Sequence, residues 1–360
     1  MLTIVIPNRN RSLTTVQRTL SSLASQCIDG VTAVVVDYGS APSYQEDLQR
    51  LVDSYKNITT VMCPTQGQLW QKTRAINIAL KQCNTPFFMV ADMDMIFHSE
   101  FVQRALELVP EKEIFFFQVG ILTEEESAQQ KGFHKYQIKF KTNEEATGIT
   151  LFPTAVLKDI HGFDEFYHGW GAEDTDVHIR LSNAGYKVHF YNKECLLLHQ
   201  WHPKNYRSKN SRAPFHPVLE KINQRYLALT KSSRKIIANR NMDWGVLPEA
   251  SSYKKLDEPE QLIKIDATQE GVDSFLAQLT AGTYRSTIRV EIIPHIKAGT
   301  SKEILKKALG KSTPQFLKMS TVNQAVLSTI VNQLRNQPYR YTFDRVTDKI
   351  LLDINLSTLG

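Results

Sequence analysis

Apolar runs and amphipathic stretches alternate along the first 120 residues of the chain. Continuous apolar runs such as residues 34–36 and 115–117 are typical of strands that are buried on both faces. Between such runs, apolar residues recur at helical spacing, as Leu13, Val16 and Leu20 illustrate. This alternation predicts a mostly parallel sheet with right-handed helical crossovers. The expected strands are 3–6, 33–37, 59–63, 87–91 and 114–120, and the expected helices are 12–26, 44–56, 69–83 and 100–108.

The second half of the chain predicts further elements and a change of domain. Up to about residue 240, the expected elements are strands at 148–152, 187–191 and 195–199, a helix that ends near residue 184, and a helix at 218–229. Pro248, Pro259 and the small residues near them predict a linker. After it, the expected elements are strands at 262–265 and 287–293, helices at 272–279, 301–309 and 321–334, and a hairpin at 340–355. We therefore expect a large α/β domain over 1–240, a linker over 241–258 and a smaller α+β domain over 259–360, which is also where we expect any homo-oligomer to form.

Composition and length add only broad limits. The 360 residues are 42% hydrophobic and 22% charged, which is ordinary for a globular protein. The chain shows no signal peptide and no apolar run near 18 residues, so we expect a cytoplasmic protein whose membrane contact, if any, is peripheral. The four cysteines lack metal-ligand spacing and imply no disulfide framework.

Positive charge is concentrated in one segment rather than spread over the chain. The net charge of +6 does not by itself indicate a nucleic-acid partner. Between Lys204 and Arg240, however, ten basic residues accompany a single acid, Glu220. This segment is either a solvated helix face or a contact for phosphates, an anionic glycan or the inner face of a membrane.

Two acids follow the expected strand 87–91 at the edge where open α/β sheets bind ligands. Asp92 and Asp94 offer hard oxygen ligands for a divalent cation. Such a cation stabilises the negative charge that develops on a diphosphate leaving group. A third ligand is expected from His199, which ends an apolar strand, with His202 as the competing candidate.

A second acidic cluster opens the helix after a loop of small residues. Glu173 and Asp174 stand next to each other and therefore point in different directions, which allows one to accept a proton while the other orients an acceptor. Trp170 offers a flat apolar face for a sugar ring. The competing interpretation is that the acids only cap the helix.

Residues that could bind a nucleotide follow the first two strands and open the third helix. The candidates are Pro7, Asn8, Arg9, Asp37, Gln66, Gly67 and Arg74. A carboxylate after a strand can accept hydrogen bonds from a uracil or a ribose, and an Asn-Arg turn can hold a base or a phosphate. A helix N-terminus with a glycine and basic side chains suits a diphosphate. Lys72, in the same helix, is one of these basic side chains, and the competing interpretation is that it is only solvated.

Together these motifs resemble family-2 glycosyltransferases of the GT-A fold. The resemblance rests on Ile-Pro-Asn-Arg at 6–9, Val-Asp-Tyr-Gly-Ser at 36–40 and Ala-Asp-Met-Asp at 91–94. The segments at 148–152, 162–164 and 169–174 resemble the C-terminal module of β-1,4-galactosyltransferases. Bacterial chondroitin-type polymerases and polypeptide GalNAc transferases share a similar segment. The resemblance covers roughly residues 1–205, and the last hundred residues resemble no family.

The resemblance implies a Rossmann-like nucleotide-diphospho-sugar transferase that works by inversion and depends on a metal. By this resemblance, Asp94 binds Mn²⁺ or Mg²⁺ directly, Asp92 contacts the metal or the ribose, and His199 is the third ligand. The donor is implied to be a UDP-sugar, with Asp37 as the uracil contact.

The resemblance also implies roles in the acidic loop. Asp174 is then the catalytic base, Glu173 holds the acceptor sugar or donor hydroxyls, and Trp170 stacks on a sugar. Two departures bear on substrate identity: Ala172 stands where relatives often have glycine, and Thr175 stands where galactosyltransferases have a further acid.

The leading functional hypothesis is therefore a hexosyltransferase. It would move a hexose or N-acetylhexosamine, with galactose types favoured, to a glycan, lipid-linked or protein acceptor in surface polysaccharide or glycoconjugate synthesis. A nucleotidyltransferase that makes sugar nucleotides is one alternative, but it calls for a glycine-rich loop after the first strand, and residues 7–11 contain no glycine. The other alternative is a carbohydrate-binding protein that has lost activity, against which the acids and His199 argue.

Overall fold

A computed structural model describes residues 1–108, 113–204 and 217–357. These residues divide into two units. The first contains residues 1–63, 71–204 and 223–247, and the second contains residues 64–70, 217–222 and 248–357. The domain limits expected at residues 240 and 259 stay a prediction.

The helices and strands follow each other along the chain as predicted, with several additions. Up to residue 199 they are β1 Leu2–Asn8, α1 Leu13–Ala24, β2 Val31–Tyr38, α2 Pro42–Val52, β3 Ile58–Cys63, α3 Lys72–Gln82, β4 Phe87–Val90, β5 Met95–Phe97, α4 Phe101–Glu107, β6 Ile114–Phe117, β7 Gly120–Ile121, α5 Glu124–Ala128, β8 Phe140–Lys141, β9 Thr150–Pro153, α6 Thr154–Asp159, α7 Glu173–Asn183, β10 Val188–Tyr191 and β11 Leu197–His199. The remaining elements are α8 Pro217–Ser232, α9 Ala250–Lys254, β12 Gln261–Asp266, α10 Gln269–Thr280, β13 Thr287–Ile293, α11 Ser301–Ala308, α12 Met319–Thr329, β14 Tyr339–Asp344 and β15 Lys349–Asn355.

Seven strands of the first unit form its main sheet in the order β10-β6-β9-β4-β1-β2-β3. The neighbours are parallel except at β9, which runs antiparallel to both β4 and β6. Every residue of β1 is buried, as expected for a strand with helices on both faces of the sheet. The predicted α/β class with a mostly parallel sheet is confirmed.

A second, smaller sheet in the first unit was not predicted. Its order is β5-β11-β7-β8, and β5 pairs antiparallel with β11. The strands β5, β7 and β8 have two or three residues each, which is too short to show a period of two in the sequence. This sheet matters for the site because it places the end of β11 beside the turn that follows β4.

The second unit contains a four-stranded sheet in the order β12-β13-β15-β14. Its first pair is parallel, and the hairpin β14–β15 joins β13 antiparallel. The expected strand 287–293 is found with the same limits, and the other expected elements differ by a few residues. Residues 250–257, expected as linker, form α9 and a 3-10 helix in this unit.

The helices among the described residues are short or carry many polar side chains. None of them combines the length and the apolar character that a bilayer span requires.

Candidate active site

Asp94 ends the turn after β4 and directly precedes β5, an edge strand of the small sheet. The hydroxyl of Thr19 donates to the carbonyl of Met93 (3.1 Å), and the amide of Gln200 donates to the carbonyl of Asp94 (2.8 Å). In the β5–β11 pair, His199 lies opposite Met95. The pairing therefore holds the imidazole of His199 beside the carboxylate of Asp94.

Asp94, His199 and His202 form a candidate metal centre. Their ligand atoms all lie within 4.8 Å of one another. His202 Nε2 is 3.2 Å from Asp94 Oδ2, and His199 Nε2 is 3.6 Å from Asp94 Oδ1. The structure thus brings both histidines that the sequence offered as alternatives to the same carboxylate.

The donor set fits a divalent transition metal. One carboxylate and two imidazoles are ligands that Mn²⁺ and related ions accept. Asp94 Oδ1 is a buried oxygen that has no hydrogen-bond partner among the described residues, which is the condition expected of an oxygen reserved for a ligand.

Charge around Asp94 keeps its carboxylate ionised. Burial alone raises the pKa of this carboxyl, but the imidazoles of His199 and His202 and the guanidinium of Arg11 outweigh burial and lower it below the usual value. Arg11 Nη2 lies 3.0 Å from Asp94 Oδ2. Arg11 was not among the predicted site residues.

Asp92 belongs to a different group, which surrounds the ammonium of Lys72. Lys72 Nζ is 3.1 Å from Asp92 Oδ1, 3.0 Å from Asp174 Oδ2 and 3.6 Å from Glu173 Oε1. The competing interpretation of Lys72 as a solvated helix residue is wrong, because its side chain is largely buried among these three carboxylates. A role of Lys72 toward a diphosphate stays a prediction. The structure thereby brings Asp174 to Asp92 and so to the turn that carries Asp94.

Burial and neighbouring charges shift the pKa values of Lys72 and Asp174. Burial lowers the pKa of Lys72, but the carboxylates of Asp174, Asp92 and Glu173 raise it well above the usual value, so the lysine stays charged. Burial raises the pKa of Asp174 well above its usual value, and the neighbouring Glu173 and Asp92 add to the rise although Lys72 opposes it.

Gly148 borders this group of carboxylates. A Cβ at this position would lie 3.3 Å from Asp92 Oδ2 and 3.7 Å from Asp174 Oδ2. A glycine therefore leaves the carboxylate oxygens uncovered where a side chain would crowd them.

The loop before α7 presents Trp170 to solvent. Gly169 and Gly171 have φ values of +74° and +95°, and Ala172, which directly precedes the helix, has a φ of +79°. A left-handed conformation costs a residue with a Cβ about 1–2 kcal/mol. Ala172 therefore adopts a backbone conformation that favours glycine, at some cost in stability. Trp170 is 43% exposed, and its contact with a sugar stays a prediction.

Asp37, predicted to contact uracil, is buried and bonded within the protein. Its Oδ1 accepts from the amide of Ser40 (3.0 Å) and from Gln45 Nε2 (2.8 Å). Its Oδ2 accepts from Ser40 Oγ (2.6 Å) and from Asn8 Nδ2 (2.8 Å). Because a carboxylate has about four acceptor positions, a direct bond to a uracil requires one of these donors to move.

The other predicted nucleotide residues are distributed more widely. Pro7 is buried in β1 and Arg9 is half-buried directly after it. The guanidinium of Arg74 donates to the carbonyl of Val246 through two nitrogens, each at 3.3 Å, and so points into the protein.

Gln66 and Gly67 belong to the second unit rather than to the first. The carbonyl of Gly67 accepts from the amide of Tyr341 (2.9 Å). Its φ is +79°, and a Cβ would lie 3.0 Å from the side chain of Arg340. Close packing against β14 therefore accounts for this glycine, and its role toward a diphosphate stays a prediction.

The basic segment between Lys204 and Arg240 is described only in part, because residues 205–216 lie outside the described residues. Within the described part, Lys235 Nζ donates to Asp164 Oδ2 (2.5 Å) and to the hydroxyl of Tyr226 (2.7 Å). At least one of its ten basic residues thus serves an internal ion pair. A contact with phosphates or a membrane stays a prediction.

Comparison with protein families agrees with the motifs. The family model described as "Glycosyl transferase family 2" matches residues 3–156, and the model described as "N-terminal domain of galactosyltransferase" matches residues 128–201. The two matches overlap and together span residues 3–201, from β1 through β11. They confirm the predicted resemblance and support a glycosyltransferase. No curated protein matches the chain.

Solved structures of glycosyltransferases resemble the chain more distantly. Residues 1–349 of S. aureus TarS in complex with UDP-GlcNAc are 16% identical, with a TM-score of 0.46 over 65% of this chain and 69% of that one. The mannosyltransferase PcManGT from Pyrobaculum calidifontis, in complex with GDP-Man and Mn²⁺, is 15% identical, with a TM-score of 0.42 over 65% and 71%. GalNAc-T7 with UDP, GalNAc and Mn²⁺ is 13% identical, with a TM-score of 0.42 over 57% and 44%. Similarity at this level says nothing about the substrate of this chain.

Proposed function

We propose that the protein transfers a hexose or N-acetylhexosamine from a UDP-sugar to a hydroxyl group, with inversion and with the help of a divalent metal. The observation that carries the proposal is that Lys72 bridges Asp92 and Asp174. Asp92 stands two positions before Asp94, which belongs to the candidate metal centre, so the bridge brings Asp174 towards that centre. A leaving diphosphate and an attacking hydroxyl need these two kinds of group close together.

The metal would be held by Asp94, His199 and His202. When bound there, Mn²⁺ or Mg²⁺ supplies a Lewis acid for the charge of the departing UDP. Asp92 pairs with Lys72 and does not belong to this group of ligands. We therefore assign it the other role that was predicted for it, a contact with the donor ribose.

Asp174 is the proposed base. Its Oδ1 is buried and has no hydrogen-bond partner among the described residues, so it can accept a proton from a substrate hydroxyl. Its raised pKa brings the carboxyl closer to the pH at which it works, where a general base is most effective.

The proposed step is a single displacement. The acceptor oxygen forms its bond to the anomeric carbon as the bond from that carbon to the diphosphate oxygen breaks, and the hydroxyl proton passes to Asp174. Glu173 would bind acceptor or donor hydroxyls, and Trp170 would stack on the sugar ring. The products are the glycosylated acceptor and UDP.

The test combines Asp174→Asn with a matched control, Asp159→Asn, which changes an exposed aspartate on α6. We expect Asp174→Asn to lower turnover about 100- to 10,000-fold, because loss of a general base costs that much, while the affinity for UDP is retained. Turnover is measured as UDP release from a panel of UDP-sugars, with and without acceptors, and affinity by calorimetry.

Two outcomes contradict the base assignment. One is an Asp174→Asn variant that turns over like the control, and the other is a variant that loses UDP binding together with turnover. If the unchanged protein binds UDP but releases no UDP from any UDP-sugar, the transferase proposal fails and the carbohydrate-binding alternative is favoured.

A further inference from the structure

The helix α11 in the second unit leaves large aliphatic side chains in solvent. Ile304, Leu305 and Leu309 are 63%, 60% and 61% exposed, and Ile296, in the turn that leads to the helix, is 88% exposed. Single exposed aliphatic residues are common on protein surfaces, but several in one short segment mark an interaction site.

The exposed residues lie on one face of the helix. At about 100° per residue, Ile304, Leu305, Ala308 and Leu309 fall within an arc of about 140°. Glu303 projects from the opposite side and is buried. The helix is therefore amphipathic, but with its apolar face outward and its acid inward.

Local hydrogen bonds explain how this helix forms without burying its apolar face. At its start, the hydroxyl of Thr300 accepts from the amide of Glu303 (3.3 Å), and Glu303 Oε2 accepts from the amide of Gly299 (2.6 Å). At its end, Gly310 takes a φ of +66° and the amide of Lys311 donates to the carbonyl of Lys306 (2.9 Å). These hydrogen bonds cap both ends of the helix, so the helix can form without burial of its apolar face. The apolar face is therefore available to another surface.

The charge around this face is positive. Residues 296–311 contain five lysines and one acid, the buried Glu303. Lys302 and Lys306 are exposed and lie beside one edge of the apolar arc, about 20° and about 60° beyond Leu309. Lys297 and Lys311 are exposed before and after the helix. Within the described part of the chain, these four lysines form no ion pair that would neutralise them.

We propose that residues 296–311 bind the surface of an anionic lipid bilayer, with the apolar face of α11 inserted among the acyl chains and the lysines against the headgroups. Lysines beside an outward apolar face are the pattern of helices that lie in a membrane interface. The proposal concerns a different segment from the basic stretch between Lys204 and Arg240, and it does not depend on the transferase assignment.

Charge also argues against the other plausible occupant of this face, a second copy of the same chain. A two-fold symmetric pair would place the same lysines of both copies along one interface. Like charges brought together in this way oppose association, whereas anionic headgroups neutralise them.

The experiment is sedimentation of the full chain with vesicles of phosphatidylcholine mixed with phosphatidylglycerol, and with vesicles of phosphatidylcholine alone. We expect binding to the anionic vesicles only. The double change Ile304→Ser with Leu305→Ser should weaken this binding about tenfold or more. The changes Lys302→Gln and Lys306→Gln should weaken it about fivefold each, and added salt should weaken it further.

A matched control uses Leu262→Ser with Val346→Ser, which removes two aliphatic side chains of the same unit that are 72% and 75% exposed. This control should bind vesicles like the unchanged protein. All variants should keep the melting temperature of the unchanged protein, so that loss of the fold is recognised.

Three outcomes overturn the proposal. The first is the absence of binding to anionic vesicles, and the second is binding that the α11 changes leave intact, which would assign it to another segment. The third is a dimer, seen by light scattering without vesicles, that the Ile304→Ser and Leu305→Ser changes dissociate.

Discussion

Lys72 shows how one buried cation can organise a site made of acids. Its ammonium lies within 3.0–3.6 Å of the carboxylates of Asp92, Asp174 and Glu173. Three carboxylates around one ammonium leave excess negative charge, and burial makes that charge costly. The protein therefore holds Lys72 charged and raises the pKa of Asp174, which suits Asp174 as a proton acceptor.

His178, on α7, provides a test of how buried residues respond to pH. It is packed against Phe116 and Phe152, and its Nε2 is 3.0 Å from the hydroxyl of Thr150. Burial lowers the pKa of His178 to about 3. Since the unfolded chain binds the proton near pH 6.5, the unfolded state takes up more protons between these two values, and stability falls as the pH falls.

We expect the free energy of unfolding to decrease by about 2–3 kcal/mol through His178 between pH 7 and about pH 4.5. The variant His178→Gln should lack this part of the decrease. Urea unfolding at several pH values measures it, with His189→Gln, a half-exposed histidine, as the control. Identical pH dependence of His178→Gln and the unchanged protein would contradict the prediction.

The helix α7 joins the catalytic candidates to the interior through its second turn. Glu173 and Asp174 open the helix at the site, whereas Asp176 and Arg180, one turn apart, are fully buried. Arg180 donates to Asp176 Oδ2 (2.7 Å) and to the carbonyls of Ile160 and Gly162 (3.1 and 2.8 Å). This network sets the position of the first turn and so of both acids.

Replacement of Arg180 by leucine should therefore lower the free energy of unfolding by about 3–5 kcal/mol, because it leaves the charge of Asp176 buried without its partner. Arg104→Leu is the control, since Arg104 forms ion pairs at similar helical spacing on the surface, where solvent screens them, and we expect it to change the stability far less. Denaturant unfolding compares the two variants. Equal losses would mean that the buried network is not what holds α7.

Metal binding should be visible in the stability of the whole molecule. An ion that binds only the folded state stabilises it by about 2.7 kcal/mol at a hundredfold excess over its dissociation constant. We expect Mn²⁺ to raise the melting temperature of the unchanged protein and to leave that of Asp94→Asn unchanged. Calorimetric titration of UDP with and without Mn²⁺ should show tighter binding with the ion.

The same measurement decides between the two histidines. His199→Ala and His202→Ala should each reduce the stabilisation by Mn²⁺ if both are ligands, whereas His189→Ala should not. A variant that retains the full effect removes that histidine from the metal site. If Mn²⁺ still stabilises Asp94→Asn, the ion binds elsewhere and the proposed metal site is wrong.

Patterns within short windows account for the part of the architecture that was predicted. Runs such as residues 34–36 and helical periodicity in α1 follow from side chains within one element, so the mostly parallel sheet and the strand β13 could be predicted. The motifs at Asp92–Asp94 and Glu173–Asp174 named carboxylates that the structure does bring close together around Lys72 and the turn after β4, although acids at a helix start can also serve only as caps. The short strands β5, β7 and β8 could not be predicted, since two or three residues carry no period.

Contacts between distant residues decided the rest. Lys72 looks like a surface lysine until Asp92 and Asp174, 20 and 102 residues further along the chain, close around it. Gly67 looks like part of a phosphate loop but packs against Arg340. The sequence offered His199 and His202 as alternatives, but the folded chain brings both imidazoles close to the carboxylate of Asp94. Burial and charge act through space, so a local pattern names the groups that can react, and only the folded chain determines which of them meet.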